Sequence, residues 1–277
     1  MSEQDKHNEG SFDRRRRTVL KAVGAGSALS TFASVGAASE HGSGGNGERG
    51  DCWCPPCIDR LSGYTALAGD DEGEWPTQPD HVVELDIEPR NVLFQEAPSE
   101  ETDIQPGVAH GDHEHPQEDF PEYLFDPVGL SIDTGDVVDF YNVSPPEESL
   151  HTVTAMTPRF SEPAYFEVPQ RIPDDAPPFT SPPYMAEEHW LYKFDVPGVY
   201  DLFCLPHLFL GMVMRLVVGE DDFEEPEPDE SLPLAVQTVF GAPEMSVENI
   251  LEQGSVGWDD LTIEEPLDPT TLFEEEE

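Results

Sequence analysis

The stretch that decides the fold is "YDLFCLPHLFLGMVMRLVVG", residues 200–219, an apolar run in a strongly acidic chain. It contains Cys204, then His207 three residues later, then Met212 after five more. A thiolate, an imidazole and a thioether around one tight turn form a soft mixed donor set, which favours copper over zinc or iron. The spacing therefore predicts a metal site in a turn between two apolar segments.

Short strands account for the chain from residue 80 to residue 219. Runs of β-branched and aromatic residues alternate with Gly, Pro and Asp, and no helical period persists. Strands are predicted over 82–87, 129–132, 136–142, 151–156, 189–195, 199–203 and 211–218. In the last of these, Met212 and Met214 are predicted on one face and Arg215 on the other. This pattern favours an all-β fold, an antiparallel β-sandwich. The Pro-rich segment 157–188 is long enough for a lid or an irregular crossover.

A trigonal copper site with a weak axial methionine also needs a second imidazole. His151 supplies it, because it begins an apolar strand after a turn and its side chain can reach the end of the sandwich. The alternative is that the three residues have only structural roles: Cys204 as a buried thiol, Met212 as a core residue and His207 as a turn residue. Met214 also competes with Met212 for the axial position, since both are predicted on the same strand face.

Two quoted segments carry a family resemblance. "GDVVDFYN…HTVTA" followed by "FDVPGVYDLFCLPHLFLGMV" resembles the plastocyanin/halocyanin branch of the cupredoxins, over roughly residues 80–219. The resemblance implies a Greek-key β-sandwich and one type 1 copper ion, with Pro206 matching the family's proline in the ligand loop. The implied ligands are His151, Cys204, His207 and an axial Met212.

The resemblance implies an electron carrier, which shuttles single electrons between Cu(II) and Cu(I), and not an enzyme. Phe203 and Leu205 flank Cys204, where copper oxidases have histidines that connect to a second copper. His207 would be the exit for the electron. The apolar rim formed by 208–210 is a candidate docking patch for unidentified redox proteins of an extracytoplasmic chain.

A copper carrier or storage protein is the alternative function, because two further segments could handle metal. "HGDHEHP" holds His110, His113 and His115, which form either a second metal site or a solvated charged loop. "CWCPPC" holds Cys52, Cys54 and Cys57, which could form a disulfide, a bridge between chains or a soft-metal site.

The charge of the chain restricts its partners. With 13 basic and 59 acidic residues the formal net charge is −46, which argues against nucleic acid as a partner. A surface so rich in acid and poor in lysine is typical of proteins that work in very high salt, where like charges repel weakly. We therefore expect a halophilic protein, and the resemblance to halocyanins implies an archaeal source; a mesophilic protein with acidic tails is the alternative.

The ends of the chain predict export and a four-part organisation. Arg16 and Arg17, followed by a small-residue stretch, resemble a twin-arginine signal peptide, assigned to 1–38. A linker with the Cys-rich segment covers 39–79, the cupredoxin domain 80–219, and an acidic extension 220–277. Both extensions are expected to be disordered or irregular, although the C-terminal one contains a predicted short helix from a Ser246 cap to Gly254. The protein is expected outside the cytoplasm, secreted or on the cell surface, and membrane-surface association stays open.

Overall fold

A computed structural model describes residues 58–88, 90–95, 120–146, 150–162, 166–219, 223–269 and 272. The described part of the chain contains ten strands and two short α-helices. The strands are β1 (Tyr64–Ala66), β2 (His81–Glu88), β3 (Glu122–Asp126), β4 (Gly129–Ile132), β5 (Val137–Asn142), β6 (Thr154–Ala155), β7 (His189–Lys193), β8 (Gly198–Phe203), β9 (Val213–Val218) and β10 (Ser255–Val256). The helices are α1 (Leu234–Gly241) and α2 (Val247–Gln253).

The strands form two five-stranded sheets packed face to face, which confirms the β-sandwich. One sheet has the order β1-β7-β5-β2-β3 and the other the order β10-β4-β9-β8-β6. The sheets are mixed, and not purely antiparallel as the sequence suggested, because β2 pairs in parallel with β5 and β4 in parallel with β9. Each parallel pair joins strands from distant parts of the sequence, which the local pattern cannot reveal.

Alternate residues of the β9 segment pack into two different apolar clusters. Met212, Met214 and Leu216 lie in the apolar cluster between the sheets, on one face of the β9 segment. Val213 and Val217 face the other way, into a second apolar cluster. Every residue of β9 is buried, since the strand has apolar packing on both faces.

The predicted strand 151–156 is regular only over β6, and its neighbour explains why. The Pro-rich segment runs beside it, so that the Ala155 amide donates to the Phe179 carbonyl and the His151 amide to that of Tyr184. Proline has no amide hydrogen and cannot continue a regular ladder. The segment is an irregular wall of the sandwich, and Phe179 and Tyr184 fill part of the core.

The C-terminal extension is largely irregular but packs on the sandwich over the residues that the structure describes, so it is not disordered there. Its α2 begins at Ser246, whose hydroxyl accepts the Asn249 amide, and ends at Gly254 with a φ of +80°, as the capping pattern predicted. Ile250 and Trp258 are fully buried in the second apolar cluster. The extension therefore adds a second core outside the β10-β4-β9-β8-β6 sheet.

Buried charges also join the extension to the sandwich. Arg215 on β9 is 1% exposed and pairs with Asp201 on β8 at 2.8 Å. It also pairs with Glu225 of the extension, and Arg171 of the Pro-rich segment contacts Asp201 at 2.6 Å. Each buried charge of this group has a partner, as burial requires.

Several predictions fall on residues outside the described ranges: the signal peptide, the Cys-rich segment and the three histidines of "HGDHEHP". The domain boundaries remain predictions. Among the described helices, none is long and apolar enough to cross a bilayer.

Candidate metal centre

A tight loop between β8 and β9 carries two of the predicted ligands. It is a 3-10 helical segment, Leu205–Leu210, that follows Cys204 and ends at Gly211. The His207 amide donates to the Cys204 carbonyl at 3.1 Å, and the Cys204 amide to the Met212 carbonyl at 3.0 Å. Gly211 has a φ of +77°, and a Cβ there would lie 2.8 Å from a Leu93 methyl carbon. The positive φ and the close approach of Leu93 favour glycine at this turn.

The structure brings His151, Cys204 and His207 together. The cysteine Sγ lies 3.6 Å from Nδ1 of His151 and 3.4 Å from Nδ1 of His207. The ring centroids of the two histidines are 4.9 Å apart. All three side chains are buried, and among the described residues they form the one His/Cys/Asp/Glu cluster with ligand spacing. Two nitrogens thus face one sulfur.

A serine orients the first imidazole. The Ser144 hydroxyl lies 2.9 Å from Nε2 of His151 and donates to the Leu85 carbonyl at 3.3 Å. When the hydroxyl hydrogen goes to that carbonyl, the hydroxyl oxygen can accept the hydrogen of Nε2 in the tautomer that leaves Nδ1 unprotonated. In this tautomer the Nδ1 lone pair faces the Cys204 sulfur, as a metal ligand requires.

Thr152 organises the sulfur from the side of the first histidine. Its backbone amide donates to the Cys204 Sγ at 3.3 Å, and its hydroxyl oxygen accepts the Leu205 amide at 2.8 Å. One residue thus connects the His151 segment to both the sulfur and the start of the loop. Hydrogen bonds of this kind hold ligand atoms in place before a metal arrives.

Burial sets the protonation state of the metal-free site. It raises the pKa of the Cys204 thiol to about 12, against the opposing effect of the Thr152 hydrogen bonds. It lowers the pKa of His151 to about 3, with a further contribution from His207, and the pKa of His207 to about 4. At neutral pH the site holds two neutral imidazoles and a thiol, so a metal ion must displace one proton.

The donor atoms fit a single ion. A nitrogen about 2.0 Å and a sulfur about 2.3 Å from one ion, about 120° apart, are about 3.7 Å from each other. The two nitrogen–sulfur distances of 3.6 and 3.4 Å are close to that value. A thiolate with two imidazoles in a dry site matches the donor set of an electron-transfer copper centre.

Met212, the fourth predicted ligand, follows the loop directly. Its side chain is fully buried in the same apolar cluster as Cys204, and its amide donates to the His207 carbonyl at 3.3 Å. Met214 is equally buried in that cluster. The axial role of Met212 stays a prediction.

The loop rim differs from the docking patch that the sequence suggested. Leu208 is 1% exposed and Leu210 is 7% exposed, while Phe209 alone of these three is open to solvent, at 43%. The extension causes this, because Ala235 of α1 packs against the loop at Gly211. The apolar rim is therefore mostly covered by the protein itself.

Sequence reasoning missed three residues around the ligands: Ser144, Thr152 and Tyr123. Thr152 could have been found, since it follows a predicted ligand directly. Ser144 precedes that ligand by seven residues, across a turn. The Tyr123 ring lies 4.2 Å from the His207 ring and comes from a strand that the sequence reading omitted.

Known copper proteins resemble this chain over part of its length. The chain is similar to pseudoazurin. It is 35% identical over 98 residues to a protein described as "Putative pseudoazurin" from Rhizobium leguminosarum bv. viciae, covering 35% of this chain and 52% of the relative. The chain thus spans about half the length of that curated relative. No family model matches the sequence.

Two solved structures also align with the chain. A pseudoazurin from Methylobacterium extorquens AM1 aligns at 18% identity, covering 63% of this chain and 93% of the other, with a TM-score of 0.29. A mutant of amicyanin in its reduced Cu(I) form aligns at 21% identity over 34% and 72% of the two chains, with a TM-score of 0.25.

Proposed function

We propose that the chain is a cupredoxin-type protein that binds one copper ion and carries single electrons between redox partners. The observation that carries this proposal is the Cys204 sulfur, buried and facing Nδ1 of both His151 and His207. The soft donor set and the similarity to pseudoazurin support copper as the ion. When bound, copper supplies a one-electron couple between Cu(II) and Cu(I).

The surrounding residues hold the donor atoms in fixed positions. Ser144 fixes the His151 ring, Thr152 fixes the sulfur, and the Gly211 turn fixes the position of His207. A rigid donor set suits electron transfer because little movement accompanies the change of charge. The Cys204 sulfur also offers the covalent route for the electron into β8.

The finer parts of the proposal come from the sequence. The twin-arginine-like start supports a location outside the cytoplasm, with redox proteins of an extracytoplasmic chain as partners. The large negative charge suits work in strong salt, where charge steering of a partner is weak. The plastocyanin/halocyanin branch and a halophilic archaeal source remain predictions.

The test is an optical spectrum with a copper count, on the full chain loaded with Cu(II) in high salt. We expect one copper per chain, an intense visible band from the copper–thiolate bond, and bleaching by dithionite that an oxidant reverses. The matched control is Cys204→Ser, which should lack the intense band. Several coppers per chain without intense colour would contradict the proposal and favour the carrier or storage alternative.

A further inference from the structure

An aromatic ring covers the second imidazole. Tyr123 of β3 lies with its ring centroid 4.2 Å from that of His207, at an interplanar angle of 31°. Its distance to the His151 ring is 6.5 Å. His207 is 7% exposed, while Tyr123 is partly exposed. The partly exposed tyrosine ring therefore packs directly against one of the proposed ligands.

The register of β3 fixes this ring. Tyr123 pairs with Ile87 on β2, and successive residues of a strand point to opposite faces. Glu122 and Leu124 face the C-terminal extension, where the Trp258 indole donates to the Glu122 carboxylate at 2.7 Å. Tyr123 points to the opposite face of β3 from these two residues, and it packs against both apolar clusters.

Another flank of the ligand loop is closed by the chain itself. Leu208 and Leu210 are buried among residues of the extension, and Gly211 packs against Leu93 and Ala235. The loop thus has a fixed apolar support on that flank. Tyr123, from the opposite sheet, packs against the same apolar cluster and contacts the His207 ring directly.

We propose that Tyr123 is a positioning residue that clamps the His207 imidazole and keeps water away from the metal centre. The part of this inference that concerns copper rests on the proposed function. The apolar surroundings of a metal control solvent access and hence its reduction potential. A small side chain at 123 would admit water, which stabilises the more highly charged Cu(II) state, so the potential would fall.

The first experiment uses the metal-free full chain and needs no copper. Diethyl pyrocarbonate modifies accessible neutral imidazoles, and peptide mass spectrometry gives the rate at His207. We expect Tyr123→Ala to raise this rate several-fold, Tyr123→Leu to raise it less, and Tyr123→Phe to leave it unchanged. The control is Tyr141→Ala, which removes a ring stacked on His189 at 4.1 Å between centroids and should leave the rate at His207 unchanged.

The second experiment measures the reduction potential of the copper-loaded variants by voltammetry. The potential should fall for Tyr123→Ala and be restored by phenylalanine, since the ring and not the hydroxyl provides the cover. Equal modification rates and equal potentials in all variants would overturn the inference. If the unaltered protein binds no copper but Tyr123→Ala still speeds the modification of His207, the proposed function is refuted. The role of Tyr123 in covering His207 is then still supported. The leucine variant keeps the test decisive if the alanine variant does not fold.

Discussion

Nε2 of His151 lies 2.9 Å from the hydroxyl of Ser144, and this contact leaves Nδ1 of the ring free to face the Cys204 sulfur 3.6 Å away. A residue that binds no metal thus decides which nitrogen is available as a ligand. Hydrogen-bond partners of ligating histidines matter for affinity because they fix both tautomer and ring orientation.

Removing the serine hydroxyl should weaken copper binding. We expect Ser144→Ala to lower the affinity about tenfold, because the freed ring can rotate and adopt the other tautomer. Competition against a chelator measures the change. Ser181→Ala is the matched control: this serine is equally buried, but its hydroxyl accepts the Val153 amide and does not contact the histidines. Equal losses in both variants would contradict the orienting role.

The two buried methionines of the β9 segment should differ in their effect on the potential. If Met212 is the axial ligand, Met212→Leu removes a weak donor to Cu(II), so the reduction potential rises. Met214→Leu should leave the potential nearly unchanged. Each swap conserves volume and should cost less than about 1.5 kcal/mol of stability, which makes the pair a fair comparison. A larger shift in the Met214 variant would assign the axial role to that residue.

Asp86 on β2 should make stability depend on pH. Burial raises the pKa of its carboxyl to about 6 from an unfolded value of 3.8, so the folded protein binds this proton more tightly. The stability linked to that proton is fully present below pH 3.8 and is lost as the pH rises through about 6.

Replacing this carboxyl should therefore stabilise the fold only at higher pH. Asp86→Asn should gain about 1 kcal/mol at pH about 8, a value reduced from the full shift because the side chain is partly exposed and screened. The gain should shrink toward zero as the pH falls below the unfolded value. Urea unfolding at several pH values measures it, with the exposed Glu252→Gln as control. A pH-independent gain would refute the assignment.

Glu122 should anchor the extension to the sandwich. One carboxylate oxygen accepts the amides of residues 92–94 at 2.7–3.0 Å, and the other accepts the Trp258 indole hydrogen at 2.7 Å. Glu122→Gln replaces one acceptor with a donor, so buried donors lose their partner. We expect a loss of about 2–3 kcal/mol in urea unfolding. Glu248→Gln, which changes an exposed carboxylate of α2, is the control and should change stability little; equal losses in both variants would contradict the anchor.

Local patterns were enough to find most of the sandwich. The predicted segment 129–132 coincides with β4, and 82–87 lies within β2, because alternation and flanking turns specify strands locally. The helix capped by Ser246 was found for the same reason. Three of the four predicted ligands also come together, since the loop spacing alone fixes Cys204 relative to His207.

The sequence reading failed where the decisive partner is distant. The short strand β3 was missed, and its ring contact with His207 depends on pairing with β2. The extension was predicted to be disordered or irregular because residues 220–277 contain 20 acidic and no basic residues. Its apolar residues nevertheless pack on the sandwich. The mixed sheet order also depends on pairings that no local pattern records.

The central claim is that the Cys204 sulfur and the nitrogens of His151 and His207 bind the same copper ion. X-ray absorption at the copper edge, on the loaded full chain, measures the ligand atoms directly. We expect one short sulfur contact and two imidazole nitrogens, with the sulfur absent in Cys204→Ser. A first shell of nitrogen and oxygen alone in the unaltered protein would contradict the claim.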